Sequence, residues 1–230
     1  MTSKEMDMLG NYSEVANKLG QQAGHKKWEI VKAAAGLFIR KGTLNTGVRD
    51  ISEASGITVG TLYHYFKSKD DIIKAFLDFA VQGTNEFVKM TTEALAKLQP
   101  EEALRRAISL YIEYTNEAQS IVLFWHQETG NLPPDQRKRL MENEMVLASL
   151  FEKLIERGRH EGIFKIEDAA LAAHNIIVLG DMWAFRRWWL GRRYTPDQYI
   201  QKQIEFILHG LYDGSIETKP DKVKEVRRKQ

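Results

Sequence analysis

The segment Thr46–Lys69, TGVRDISEASGITVGTLYHYFKSK, constrains this chain more than any other stretch of it. It reads as two short helices joined by a tight turn. Val48, Ile51 and Ala54 recur at three-residue spacing before the turn, and Leu62 and Phe66 lie four apart after it; both spacings mark one face of a helix. Gly56 supplies the residue that tolerates positive φ, and Thr58 supplies a cap oxygen for a third helix ending near Phe66. With Ile57 added, these apolar residues form an inner face. The second helix of such a pair keeps an outer surface free to enter the major groove of DNA.

The rest of the chain is helical by the same criterion. A helix is expected from His25 to Lys41, with the stripe Ile30, Ala33, Ala34, Leu37 and Phe38, and Gly42 as its C-cap. Ser68-Lys69-Asp70-Asp71 matches a capping box and opens a longer helix carrying Ile72, Ile73, Phe76, Leu77, Phe79 and Ala80. Further helices are expected at roughly 85–97, 101–118, 119–129, 136–158, 168–191 and 196–212, the last announced by Thr195-Pro196-Asp197-Gln198. All five prolines (Pro100, Pro133, Pro134, Pro196 and Pro220) fall where helices start or stop, and no run alternates as a strand does. The fold class is therefore all-α. An N-terminal three-helix DNA-binding domain (25–70) is expected to join a helical ligand-binding and dimerisation domain (71–214), between a polar arm (1–24) and a charged tail (215–230).

Composition narrows the function. Residues 1–69 carry 10 Lys/Arg against 6 Asp/Glu, while the remainder carries 23 against 25. The mild basic bias has the sign expected of an N-terminal nucleic-acid module. With no cysteine, disulfides and thiolate chemistry are excluded. The first twenty residues lack the apolar core of a signal peptide, and no apolar run reaches the ~20 residues of a membrane helix, so a cytoplasmic location is expected.

On the outer surface of the third helix, Val59, Gly60 and Thr61 are small enough for a close backbone approach. Tyr63, His64, Tyr65 and Lys69 carry donors suited to phosphate oxygens. Thr46 and Arg49 could hold neighbouring phosphates. The series Ile30, Ala33-Ala34, Leu37-Phe38, Gly42, Thr46, Val48, Asp50-Ile51, Ala54, Gly56-Ile57, Gly60-Thr61-Leu62-Tyr63, Tyr65-Phe66 and Lys69 resembles the N-terminal domain of TetR-family repressors. The resemblance covers about Ile30 to Leu77. It implies a homodimeric, ligand-responsive transcription factor, most often a repressor, bound to a near-palindromic double-stranded operator. It places Thr58, Val59, Gly60, Thr61, Tyr63, His64, Tyr65 and Lys69 at DNA, with Arg49 at a position that meets DNA in some members.

For dimerisation the last two long helices are expected to supply the face: Ala169, Ala173, Ile176 and Ile177 on one, Ile200, Ile204, Ile207, Leu208 and Leu211 on the other. For an effector, an apolar pocket with a few placed polar groups is expected, built from Tyr111, Tyr114, Phe124, Trp125, His126, Trp183, Arg186 and Trp189. His126, Gln127, Glu128, Asn175, Arg186 and Arg187 are candidate polar contributors. Trp183, Arg186 and Trp189, spaced three apart, suggest an amphipathic or anionic ligand; the effector is expected to be a small hydrophobic compound, with a fatty acid or acyl-CoA the narrower reading, on a loose likeness to TetR-type regulators of lipid or acyl-CoA metabolism. His174 and Asp181, seven apart, are one conceivable metal pair, but two further ligands are not evident. No catalytic triad, phosphate-cradling loop or zincin motif is present, so neither an enzyme nor a cofactor is expected. The alternative readings are a helical interaction protein with a vestigial DNA-binding domain, or an enzyme whose site only folding assembles.

Overall fold

The computed structural model describes residues 25–117 and 119–212, apart from the side chains of Ser120 and Ile121. The expected arm and tail lie outside these residues. The described chain is helical, in the order α1 (His25–Lys41), α2 (Val48–Ala54), α3 (Val59–Tyr65), α4 (Lys69–Leu95), α5 (Pro100–Glu117), α6 (Gln119–Glu128), a 3₁₀ turn at Thr129–Asn131, α7 (Pro134–His160), α8 (Ala169–Phe185), the single turn α9 (Arg187–Leu190) and α10 (Pro196–Tyr212).

Local chemistry accounts for the boundaries. Gly42 and Gly56 adopt φ of 79° and 64°, a region open to glycine at little cost. The amide of Thr61 donates to Thr58 Oγ1 at 3.1 Å, capping α3. At the start of α4 the amides of Asp71 and Ser68 each donate to the other residue's side chain, both at 3.1 Å. Thr195 and Gln198 form the same reciprocal pair before α10.

Two expectations about helix length are corrected. The segment 69–95 is one helix of 27 residues rather than two; Gly83 is buried within it, and the Thr84 hydroxyl donates back to the Ala80 carbonyl at 3.2 Å. Conversely, α8 stops at Phe185. Arg186 leaves helical geometry (φ −111°, ψ 19°), and the single turn α9 follows it. Ala54, expected to face inward, is exposed at the end of α2.

The apolar residues form two cores. One joins α1, α2, α3 and the first half of α4 around Phe38, Ile51, Leu62 and Phe76, and it also includes Phe124 from α6. The other fills the body between α5, α7, α8 and α10. The nine residues expected to form the dimer face (Ala169, Ala173, Ile176, Ile177, Ile200, Ile204, Ile207, Leu208 and Leu211) all belong to this second core and are buried within the single chain. The expectation fails because α8 is apolar on both sides, so its inward stripe reads as well as its outward one. The exposed large apolar residues of these helices are Leu171 and Val178 on α8 and Phe206 on α10, at 55%, 43% and 68% exposure. Among the described residues, no helix is long and apolar enough to cross a membrane.

Candidate DNA interface and effector cavity

In the N-terminal module, Arg49, Thr58, Gly60, Thr61, Tyr63 and His64 stand exposed along α2, α3 and the turn between them. Tyr63 is half exposed although it is a large aromatic side chain. Val59 and Tyr65 are half-buried; Tyr65 packs on the module's core and meets the His64 ring edge-on at 5.4 Å.

Thr46 and Lys69 are used differently from the expectation. Thr46 is buried, and its hydroxyl donates to the Gly42 carbonyl at 2.8 Å; the side chain closes the loop and does not face solvent. The Lys69 ammonium donates to the carbonyls of Thr43 (2.9 Å) and Thr46 (3.2 Å). An ammonium has three donors, so one remains beyond these two, and the charge is held beside the loop.

That loop is also gripped from the body. Glu128, at the end of α6, is buried, and its Oε2 accepts from both the amide and the hydroxyl of Thr43. A Cβ on Gly42 would sit 3.0 Å from Glu128 Oε1, so glycine keeps the carboxylate close. Thr43 thus links the carboxylate of α6 to the first lysine of α4.

The helix that bears Glu128 also walls a cavity. A void of about 120 Å³ lies between α4, α5, α6, α7 and α8, lined by Tyr111, Tyr114, Trp125 and His126 together with Thr84, Val122, Thr129, Leu140, Met141, Asn143, Glu144, Leu147, Ile177 and Asp181. Its polar centre is Asp181, almost fully buried on α8. Asp181 Oδ1 accepts from the Tyr111 hydroxyl at 2.7 Å, and Oδ2 pairs with His126 Nε2 at 3.1 Å. The hydrogen bond to Asp181 raises the His126 pKa against an opposing effect of burial. Burial, reinforced by the Asp181 charge, pushes the Tyr111 phenol well above its ordinary value, so it stays a neutral donor. Gly180 makes room for this arrangement: a Cβ there would lie 2.5 Å from Tyr111 Cε1.

The residues expected around an effector therefore divide three ways. Tyr111, Tyr114, Trp125 and His126 line the cavity. Phe124, the neighbour of Trp125, turns the other way into the N-terminal core, 6.3 Å from the Phe38 ring and 5.1 Å from Phe76. Trp183 is buried in the body, its indole donating to Asn116 Oδ1 at 2.8 Å. Arg186 and Trp189 lie on a separate exterior groove with Trp188 and Tyr199. The expected Trp183–Arg186–Trp189 cluster is not formed, because the helix breaks at Arg186; Arg187 lies over Trp183 instead, and Arg193 over Trp189. Of the other polar candidates, Gln127 and Asn175 are exposed.

Asp181, Asn143, Glu144 and Thr84 were not expected at this site. Asp181 had one signal, an acid within the otherwise apolar stretch that follows Asn175 in α8. It does not pair with His174, which is exposed two turns away. Among the described residues no group of three metal-ligating side chains is gathered.

Comparison with known proteins decides the family. Residues 30–76 match the bacterial regulatory proteins of the tetR family, and residues 97–211 match the tetracyclin repressor-like C-terminal domain. The chain belongs to the TetR family. It is 30% identical over 193 residues to the HTH-type transcriptional repressor KstR2 of Rhodococcus jostii, covering 81% of this chain and 91% of that protein. Its fold is similar to that of the TetR-family regulator PfmR from Thermus thermophilus (TM-score 0.67, 27% identity, 79% of this chain and 98% of the other). It is also similar to AibR solved with isovaleryl coenzyme A and operator DNA (TM-score 0.66, 18% identity, 82% and 98%). As a TetR protein, the chain is a transcriptional regulator that carries a DNA-binding domain and a tetracyclin repressor-like C-terminal domain.

Proposed function

We propose that this TetR protein acts as a homodimer that occupies a near-palindromic operator and leaves it when a short acyl-type compound, carried as a coenzyme A thioester, enters the cavity beside α6. The observation that carries this reading is the double attachment of α6. Trp125 and His126 face the cavity, while Phe124 and Glu128, in the same ten-residue helix, are built into the DNA-binding module. A ligand that displaces α6 must also disturb the Thr43 loop and, through Lys69, the start of α4. Differential affinity of the ligand for the two arrangements supplies the switch, with a coupling of ~1–3 kcal/mol typical of such systems.

The acyl assignment draws on AibR, described with isovaleryl coenzyme A, and on the size of the cavity. Apolar cavities of roughly 150 Å³ admit a ring the size of benzene, so a void of about 120 Å³ suits a short or branched acyl group better than a long chain. For the dimer, Leu171, Val178 and Phe206 offer an exposed apolar surface on the last two long helices. For DNA, Arg49, Thr58, Gly60, Thr61, Tyr63 and His64 are the contacts, with the Lys69 charge near a phosphate. Two α3 helices set one DNA turn apart, about 34–36 Å, would read two half-sites.

The test is selection of genomic DNA fragments by the purified protein, followed by retardation of the selected fragments with and without short acyl-CoA compounds. Retained fragments should share an inverted repeat and be released by at least one such compound. Failure to retain any fragment would defeat the DNA reading, and retention that no acyl-CoA relieves would defeat the effector reading.

A further inference from the structure

The cavity's charged side chains are unbalanced in one direction: two carboxylates, Asp181 and Glu144, stand against a single histidine. Four of the cavity's donors are committed to the protein: the Tyr111 hydroxyl and His126 Nε2 to Asp181, the Thr84 hydroxyl to the Ala80 carbonyl, and the Thr129 hydroxyl to the Trp125 carbonyl. The orientation of Asn143 follows from the same network. Because the Thr84 proton is spent on Ala80, Thr84 Oγ1 accepts from Asn143 Nδ2 at 3.0 Å. That leaves Asn143 Oδ1 as the free end of the amide, buried and without a partner.

Acceptors are left over. A carboxylate offers about four acceptor positions, and Asp181 uses two. Asn143 Oδ1 uses none, and Glu144 adds a second carboxylate to the lining. The described lining contains neither lysine nor arginine, and its one histidine is already paired with Asp181. A buried acceptor without a donor is costly, and so is a second anion brought next to a buried carboxylate.

We infer that the effector's inserted end carries a hydrogen-bond donor, a hydroxyl or an amine, which it presents to Asp181 and Asn143, and that the cavity rejects a carboxylate there. This rests on the cavity being the effector site. It also reverses the polarity expected from the Trp-Arg stretch: arginine lies outside this cavity, and the anionic part of any coenzyme A ester must stay outside as well.

The experiment compares four coenzyme A thioesters of one length on the full-length protein: hexanoyl-, 6-hydroxyhexanoyl-, 6-aminohexanoyl- and adipoyl-CoA, ending in methyl, hydroxyl, ammonium and carboxylate. Affinity is read by calorimetry and by release of a retained DNA fragment. A hydroxyl or ammonium end should bind at least about tenfold tighter than methyl, with carboxylate weakest. Preference for ammonium over hydroxyl would show that the two carboxylates act through charge, and the reverse that they act through hydrogen bonding; both support the inference. Because Asp181 also anchors Tyr111, the variant of choice is Asn143→Leu, in which the advantage over methyl should shrink several-fold. Methyl equal to the donor-ended ligands, carboxylate equal or tighter, or an advantage unchanged in Asn143→Leu would overturn the inference while leaving the effector site in place. Absence of binding by all four would remove the acyl-CoA reading of the cavity and the inference with it.

Discussion

The DNA-binding module and the body solve the same packing problem with opposite placement of polar groups. In the module, apolar side chains turn inward around Phe38, Ile51 and Leu62, while hydroxyls, rings and charges stand outside. In the body the polar groups at the centre of the cavity are inside: Asp181 and the Tyr111 hydroxyl are buried, and apolar Leu171, Val178 and Phe206 are exposed. A surface that meets a polyanion can be wet until it is used. A cavity that selects a small molecule needs a few polar groups held in apolar walls. Under the proposed function, exposed and buried residues exchange roles between the two halves, so each half should fail under a different kind of substitution.

The largest effect is expected on the exposed apolar face of the body. Phe206→Glu places a charge on each side of the proposed dimer surface. The variant should sediment as a monomer and lose more than about a hundredfold in operator affinity, since one short helix alone is left near the non-specific range. A dimeric variant with unchanged retardation would move the interface elsewhere.

Next comes the outer surface of the module. Tyr63→Ala removes an exposed aromatic that supports no core. It should cost about 1–3 kcal/mol of operator binding per half-site and leave thermal stability within ~0.5 kcal/mol. If stability falls and retardation does not, Tyr63 is a packing residue and the comparison fails on the module side.

The smallest effect probes the buried polar group of the body. Asp181 raises the His126 pKa. The stabilisation from this pair is therefore complete below the unfolded histidine value of about 6.5 and is lost as pH rises through the raised folded value. Because His126 is half exposed, solvent screening keeps the effect small. The wild-type Tm should fall between pH 6 and pH 8.5 by about a degree more than that of His126→Gln. Parallel pH profiles would mean that the pair contributes nothing.

Legibility in the sequence follows the same contrast. The module's helices are apolar on one side only, so Leu62, Phe66 and the flanking Gly42, Gly56, Thr58 and Ser68 could each be read from spacing and capping chemistry. Thr46 misled because a short hydroxyl side chain serves a phosphate or a carbonyl equally well, and only the fold places the Gly42 carbonyl within 2.8 Å of it. In the body, α8 carries apolar residues around its circumference, and period alone could not choose the inward stripe. Four of the eight expected effector residues reach the cavity. The Trp-Arg cluster failed on the break at Arg186, for which no glycine or proline stands in the sequence. Glu128 and Thr43 lie 85 residues apart, beyond any local pattern.

In the proposed switch, that contact between the halves is the link through which a ligand reaches DNA. The decisive measurement is the operator affinity of wild type and Glu128→Gln, each with and without a releasing acyl-CoA. Glutamine keeps an acceptor for Thr43 but gives up the charge that strengthens both bonds. Wild type should lose about fivefold or more in operator affinity on ligand addition. Glu128→Gln should bind the same ligand with near-normal affinity, yet its operator affinity should change less than about twofold, below the range of a working coupling. A Glu128→Gln protein released as fully as wild type would show that the signal does not pass through α6 and the Thr43 loop.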